Sequence, residues 1–281
     1  MIEVFLAIIA IIWLIFASIS DIKTHEVPNW LTYSLIIIGF SSALLKSILF
    51  KNVSFLFYSI FTFGLFFLFS LLLYYTKQWG GGDVKLLAGL VTLFPVYPEE
   101  LLNYLNPNLN MPFILTLVIN IILFGSLYSI IYGVYLMIIK KVKVINEVRK
   151  YKLNGVYILT PFLLLILAVL VQDTFLKLIF LAFGILILIT PLLLMFSRIV
   201  EKKCMIKKIR IKDLREGDWI INNLYAKSKL IYSNKSPGVT NHEINLIKRL
   251  KIKTLMVKEG IPFIPTFLIA FLITIIFGSL F

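Results

Sequence analysis

The chain has 281 residues, of which 60% are hydrophobic and only 15% are charged, and its mean hydropathy is +0.96. These values exclude an ordinary soluble protein and indicate a polytopic membrane protein made mostly of apolar helices. The net charge of +14 does not indicate a nucleic-acid partner. The basic residues are concentrated in a few loops and one polar segment, and no nucleic-acid-reading motif is present.

The single cysteine, Cys204, excludes an internal disulfide and a cysteine-rich zinc site, and we expect a free thiol in a reducing compartment. We expect no metal and no other cofactor. The first apolar run lacks a basic n-region, carries Glu3, and has no small-residue cleavage pattern before Asp21. It is therefore expected to be a retained span and not a cleaved signal peptide.

Eight apolar runs predict membrane spans. In chain order they are Ile2–Ile19, Trp30–Leu49, Val53–Tyr75, Val84–Val96, Met111–Ile139, Val156–Val171, Thr174–Ser197 and Ile261–Phe281. The fourth is too short to cross about 30 Å of hydrocarbon, so it either crosses a thinned bilayer or continues through Tyr97–Leu105. The sixth and seventh form one block broken by Gln172 and Asp173, so six to eight spans are possible.

The distribution of charge predicts the orientation of these spans. The loop Lys140–Lys152 has six basic residues and one acidic residue, and Arg198–Glu259 has sixteen basic and six acidic residues. The loop Tyr97–Asn110 has two acidic residues and no basic one. Placing both basic regions in the cytoplasm makes all eight crossings alternate, with the N-terminus outside a plasma membrane.

The polar segment before the last span predicts a small cytoplasmic α+β domain. Met205–Ile211, Asp218–Ile221 and Lys253–Val257 have the alternation and β-branched content of strands. Thr240 followed by Glu243 predicts a capped amphipathic helix. The predicted organisation is a transmembrane domain over 1–198, a cytoplasmic domain over 199–259 and a last transmembrane helix over 260–281.

Two aspartates lie at the edges of apolar runs. Asp21 follows the first run, and Asp83 follows three glycines just before the fourth. In the predicted topology both lie at the cytoplasmic face. A carboxylate at the edge of hydrocarbon is costly unless it is paired, hydrated or functional, so the two predict the catalytic pair of an aspartic protease.

Peptide hydrolysis by two carboxyl groups needs one ionised group to accept a proton from water and one protonated group to polarise the scissile carbonyl. Two carboxyl groups that share a site meet this need, because both cannot easily be ionised together. No metal or nucleophilic serine is required. Asp83 is expected to stand at a helix N-terminus, where the helix dipole favours an anion. Asp21 alone could simply be a polar residue that terminates a helix, and the three glycines alone could be a flexible turn, so only the two motifs together favour the site.

The flanking residues fit such a site. Gly80, Gly81 and Gly82 are expected to adopt backbone conformations closed to other residues and to leave room for an extended substrate. Pro28 and Asn29 are expected to form a rigid turn into the second span.

Two lysines and one histidine near the aspartates have less specific explanations. Lys23 and Lys85 could stabilise the neighbouring carboxylates or anchor the membrane interface by snorkelling, and anchoring is the simpler explanation. His25 is expected to be an exposed loop residue.

These residues resemble the type IV prepilin peptidase family of GxGD intramembrane aspartic proteases. The resemblance rests on Asp21 in its Asp-Ile-Lys…Pro-Asn context and on Gly80, Gly82 and Asp83, and it covers roughly residues 1–96. The segment Lys258–Pro265 before the last span is similar to the ending of the archaeal branch, which includes preflagellin (prearchaellin) peptidases.

The resemblance implies that Asp21 and Asp83 are catalytic. It also implies that the substrates are type IV pilin-like or archaellin precursors, cleaved at the cytoplasmic face to remove a short basic leader. Bacterial members often carry a loop with paired Cys-x-x-Cys motifs that bind zinc, and they methylate the new N-terminus. This chain has one cysteine, so zinc binding and methyl transfer are not expected.

The alternative from another class is a proton- or cation-coupled transporter that uses the same carboxylates. It predicts acids near the middle of the membrane and two related halves, and no such symmetry is visible. Asp213, Glu216 and Asp218 are expected to be surface or turn residues. The basic cytoplasmic segment could contact anionic lipid or help to dock the substrate, and lipid contact with structural support is the expectation, since a basic leader would be repelled by it. The precursor, the cleavage-site sequence and the oligomeric state stay open.

Overall fold

The computed structural model describes residues 1–76, 78–149, 156–226, 229–234, 236, 238–249 and 253–280. Its α-helices are α1 (Ile2–Thr24), α2 (Asn29–Leu49), α3 (Ser54–Tyr75), α4 (Gly81–Leu93), α5 (Glu99–Leu102), α6 (Phe113–Ile139), α7 (Val144–Val148), α8 (Val156–Leu170), α9 (Thr174–Ile199), α10 (Asn241–Lys248) and α11 (Ile264–Ile276). Its strands are β1 (Ile206–Arg210), β2 (Trp219–Ile220), β3 (Leu224–Ala226), β4 (Lys229–Tyr232) and β5 (Thr254–Lys258). A π-helical turn, Val200–Cys204, follows α9.

Each predicted span coincides with a helix. Five of these helices, α1, α2, α3, α6 and α9 with its following turn, are long and apolar enough to cross a membrane. The other three, α4, α8 and α11, have 13, 15 and 13 residues. The molecule is therefore a multi-pass membrane protein, and the eight crossings and their orientation stay predictions. Residues 150–152 of the predicted basic loop and Phe281 of the last span lie outside the described residues.

Helix α4 is enclosed by protein. Val84 and every residue from Leu86 to Leu93 are buried, so protein and not lipid covers this apolar helix. The helix ends at Leu93, and the chain beyond it forms a loop with the four-residue α5. The alternative in which the fourth span continues as a helix through Tyr97–Leu105 is therefore wrong.

The short length of α4 is accommodated by hydroxyl groups of α3. Ser59 Oγ donates to the carbonyl of Thr92 at 3.1 Å, and Thr62 Oγ1 lies 3.3 Å from the carbonyl of Val91. These carbonyls belong to the last turn of α4, where no further residue of the helix can donate to them. The neighbouring helix thus satisfies the end of a helix of about 20 Å, a length shorter than the hydrocarbon core.

Helix α11 packs against α1 and α6. Its inner face is formed by Phe267, Ala270 and Phe271, which are fully buried. Asn120 of α6 donates to Thr274 Oγ1 of α11 at 2.9 Å in the buried interior. The C-terminal helix is therefore part of the same core as α1 and α4.

The region after the π-helical turn, Ile206–Lys258, is called the strand segment here. It has an antiparallel sheet of order β1-β5-β2 and a separate β3-β4 hairpin. Helix α10 has the predicted capping box, in which Thr240 Oγ1 accepts from the Glu243 amide and Glu243 accepts from the Thr240 amide. The predicted strands and capped helix are confirmed, while the predicted domain limits at 199 and 259 stay a prediction.

Candidate active site

Asp21 lies in the last turn of α1 and is buried. The helix continues to Thr24, five residues beyond the predicted end of the apolar run. His25, the residue that caps it, has a left-handed conformation with φ 55°. His25 is exposed, as predicted. Asp21 is therefore part of the helix, and its carboxylate contacts Ile264, the first residue of α11.

A backbone amide of α11 holds the Asp21 carboxylate. Ile264 N–H donates to Asp21 Oδ2 at 2.9 Å in a buried contact. The first amides of a helix have no partner within it, and the positive end of the helix dipole favours an anion there. Sequence reasoning missed this partner, although the prolines at 262 and 265 are a recognisable helix-start signal.

Asp83 is the third residue of α4. Its Oδ2 accepts from the Gly80 amide at 2.8 Å, an N-terminal capping interaction that orients the side chain from within its own segment. The prediction that Asp83 stands at a helix N-terminus is confirmed.

The three glycines before Asp83 do not have the conformational role that the sequence suggested. Gly80 has φ −81° and ψ 164°, an extended conformation open to any residue, and Gly81 and Gly82 begin α4. Gly82 leaves little space for a side chain, because a Cβ atom there would lie 3.0 Å from Val27 Cγ2, a contact that Val27 would have to move to relieve. At Gly81 the nearest atom to such a Cβ is Tyr74 Cε2, at 3.9 Å, so this side of the turn is open.

Both aspartates line one cavity of about 1400 Å³. The cavity is bounded by the α1–α2 loop, the start of α4, the middle of α6, the strand segment and the start of α11. The structure thus brings together the two carboxyl groups that the sequence singled out, from positions 62 residues apart.

The remaining predicted site residues divide into cavity-lining and supporting groups. Lys23 is exposed and lines the cavity. Lys85 Nζ donates to Asn29 Oδ1 at 2.6 Å and lies 5.3 Å from the centre of the Tyr33 ring, so it joins α4 to the start of α2. Pro28 is the residue that precedes α2, as predicted.

The strand segment forms part of the cavity wall and is attached to the end of α1. Arg215 Nη1 donates to the Thr24 carbonyl at 3.0 Å and lies 3.5 Å from Glu26 Oε1. This contact joins the strand segment to the end of α1. Sequence reasoning did not predict that these two parts of the chain meet.

Three acids of the strand segment that were predicted to be turn residues also line the cavity, namely Asp213, Glu216 and Asp218. Asp218 accepts from the Arg215 amide at 2.8 Å, as a turn residue does. Burial raises the pKa of Asp218 above 3.8, although the hydrogen bond from Arg215 opposes the shift. Burial therefore makes this cavity-lining carboxyl group easier to protonate than a solvent-exposed aspartate.

Over the described ranges, no three His, Cys, Asp or Glu side chains converge as metal ligands. Two carboxyl groups held by amides beside a water-accessible cavity form a constellation suited to acid–base chemistry on a bound substrate.

Fold and site together define a class: a multi-pass helical membrane protein with paired carboxyl groups at one end of its bundle. Residues 8–137 match the family described as type IV leader peptidase family. The chain is 29% identical over 246 residues to prepilin peptidase EppA of Methanothermobacter thermautotrophicus, an alignment that covers 83% of this chain and 60% of that protein. It is 28% identical over 123 residues to the preflagellin peptidase of Methanococcus maripaludis, covering 44% of this chain and 53% of that protein.

The chain is therefore similar to the type IV leader peptidase family over residues 8–137, and both of these relatives are archaeal peptidases, one named for prepilin and one for preflagellin. It spans only 60% and 53% of the lengths of these two curated relatives. The family match contains both Asp21 and Asp83, whereas the strand segment and α11 lie beyond it.

Proposed function

We propose that this protein is an intramembrane aspartic endopeptidase that removes leader peptides from type IV pilin-like or archaellin precursors. The observation that carries the proposal is the pair of aspartates on one cavity, each accepting a hydrogen bond from a backbone amide. The match of residues 8–137 to the type IV leader peptidase family and the names of the two relatives support the substrate class.

In the proposed mechanism, Asp21 and Asp83 act as one unit that holds a single shared negative charge. The ionised carboxylate takes a proton from the attacking water, while the protonated carboxyl group donates to the scissile carbonyl oxygen. The Ile264 and Gly80 amides hold the two groups in place, so that the substrate meets a preorganised pair. The tetrahedral intermediate then collapses as the carboxyl group that took the proton of water gives it to the leaving amine, while the other carboxylate takes its proton back from a hydroxyl of the intermediate.

We also propose the setting of this reaction. The protein lies in the plasma membrane with its N-terminus outside, and the aspartates and strand segment face the cytoplasm. The excess of lysine and arginine in 140–152 and 198–259 supports this orientation. The basic residues contact anionic lipid, and the segment 199–259 acts as a domain that covers the site.

The transporter alternative is not favoured by any feature of the site. It requires carboxylates near the middle of the membrane, whereas Asp21 lies in the last turn of α1 and Asp83 in the first turn of α4. Neither helix is interrupted at the aspartate.

The test is cleavage of a panel of pilin-like and archaellin-like precursors in membranes, with the new N-terminus read by mass spectrometry. Wild type is compared with Asp21→Asn, Asp83→Asn and the matched control Asp173→Asn. Asp173 accepts from the Leu176 amide at the start of α9, and asparagine serves as well at that position. We expect both site variants to lose cleavage and the control to retain it, and appreciable cleavage by both site variants would sink the mechanism.

A further inference from the structure

The outer edge of strand β1 borders the cavity that holds the two aspartates. Lys207, Lys208, Ile209 and Arg210 are consecutive and all line it. Side chains of a strand alternate between its two faces, so four consecutive lining residues place the edge of the strand, and not one face, toward the cavity.

The pairing of β1 with β5 shows which backbone groups point to that edge. Glu259 N–H donates to the Met205 carbonyl, and Ile211 N–H donates to the Lys253 carbonyl. In the antiparallel register, residues 205, 207, 209 and 211 therefore turn their backbone groups to β5. Ile206, Lys208 and Arg210 turn theirs outward, and no strand among the described residues pairs there.

The edge is held close to the reacting groups by covalent connection. Only five residues, 259–263, separate the end of β5 from Ile264, whose amide binds Asp21. The six Cα–Cα steps from Lys258 to Ile264 span at most about 22 Å. The Arg215 contact with Thr24 provides a second attachment on the other side of the site.

The charges on β1 do not block approach to this edge. Lysines commonly protect an exposed edge strand from pairing. Here Lys207 is paired with Glu259 at 2.8 Å, and Arg210 is paired with Asp213 at 2.8 Å. Two of the three cations on β1 are thus already neutralised within the strand segment.

We propose that the outward edge of β1, at Ile206, Lys208 and Arg210, pairs as a β-strand with an extended segment of the polypeptide substrate and guides it to Asp21 and Asp83. This proposal rests on the proposed function and adds where the substrate backbone binds. The occupant is a polypeptide in extended conformation, since β-strand addition uses main-chain hydrogen bonds and is largely independent of sequence. Hydrolysis also needs an extended chain, because a helical segment hides its scissile carbonyl in its own hydrogen bonds.

The first test separates the backbone from the side chain at one residue. Lys208→Pro removes the outward N–H and leaves the β1–β5 ladder intact, because the N–H of residue 208 points away from β5. Lys208→Ala removes the side chain and keeps the N–H. We expect the KM of Lys208→Pro for a full-length precursor to exceed that of Lys208→Ala by about fivefold, as the loss of one hydrogen bond predicts, with similar kcat. Equal KM values for the two folded variants would overturn the proposal.

The second test stands even if Lys208→Pro fails to fold. A Cys204→Ala, Asp83→Asn, Lys208→Cys protein is oxidised with precursors that carry one cysteine at successive positions around the cleavage site. Side chains directly opposite each other on paired strands lie about 5 Å apart, and their immediate neighbours face away. Strand pairing therefore predicts disulfides at alternate precursor positions, and cross-linking without this alternation contradicts it.

These outcomes are distinct from failure of the proposed function. If the wild type cleaves precursors and the cross-links show no alternation, the site is a peptidase and the edge is not its docking strand. If no precursor is cleaved, the proposed function fails first, and alternating cross-links would still establish the edge as a polypeptide-binding surface.

Discussion

Gly82 shows how a single residue sets the geometry beside Asp83. The residue begins α4 in an ordinary helical conformation, and its importance is the absence of a side chain next to Val27. Val27 belongs to the loop that follows Asp21, so this contact brings the two aspartate-bearing segments together. Gly81, one position earlier, has no such neighbour.

This difference predicts that Gly82→Ala and Gly81→Ala have unequal effects. We expect Gly82→Ala to lower the free energy of unfolding by about 1–3 kcal/mol, because the new Cβ would lie 3.0 Å from Val27 Cγ2. Gly81→Ala should change it by less than about 0.5 kcal/mol. Thermal unfolding in detergent measures both. Addition of Val27→Ala should restore the Gly82→Ala protein, and a failure to do so would show that the contact is not the cause.

At the scale of helices, α4 depends on close approach by α2. Gly39 of α2 faces the last turn of α4, where a Cβ atom would lie 2.9 Å from Thr92 Cγ2 and 3.0 Å from the Leu93 backbone nitrogen. Within a membrane, small residues allow helices to pack by direct backbone contact. The same glycine therefore permits a short buried helix to sit among longer ones.

Gly39→Ala and Gly64→Ala form a matched pair of helix substitutions. Gly64 lies in α3 with no atom within 4 Å of an added Cβ. We expect Gly39→Ala to reduce the free energy of unfolding by about 1–3 kcal/mol, since backbone atoms cannot yield as a flexible side chain does. Gly64→Ala should be neutral or stabilising by up to about 1 kcal/mol, given the higher helix propensity of alanine. Equal destabilisation by the two would refute the close-packing argument.

For the whole molecule, the strand segment and the helical bundle share one site. Two helices that are far apart in the sequence meet at Asp21. Helix α1 supplies the carboxylate, and α11 supplies the amide that binds it. The strand segment lies between α9 and α11 in sequence, and Arg215 fastens it to the end of α1. Cleavage should therefore depend on the contact between Arg215 and Thr24. This exposed contact should contribute little to the free energy of unfolding.

Arg215→Ala tests this dependence, with Lys203→Ala as the control. Lys203 forms an ion pair with Glu147 at 3.4 Å and does not line the cavity. Both substitutions should change the free energy of unfolding by less than about 1 kcal/mol, as is usual for exposed pairs. We expect Arg215→Ala alone to lower kcat/KM on a full-length precursor, by about threefold or more. Equal kcat/KM values for the two variants would show that cleavage does not need the contact between Arg215 and the end of α1.

The sequence by itself determined the apolar helices, the two aspartates at helix ends, the strands of the polar segment and the capped α10. Each of these is encoded by neighbouring residues through hydrophobic runs, alternation or capping pairs. Tertiary structure alone decided that α4 is buried in protein, because an apolar run looks the same whether lipid or other helices cover it. It also decided that Gly82 serves close packing, and that Ile264 binds Asp21 across 243 residues. No local sequence pattern encodes these contacts, because the residues that form them are far apart in the sequence and meet only in the packed structure.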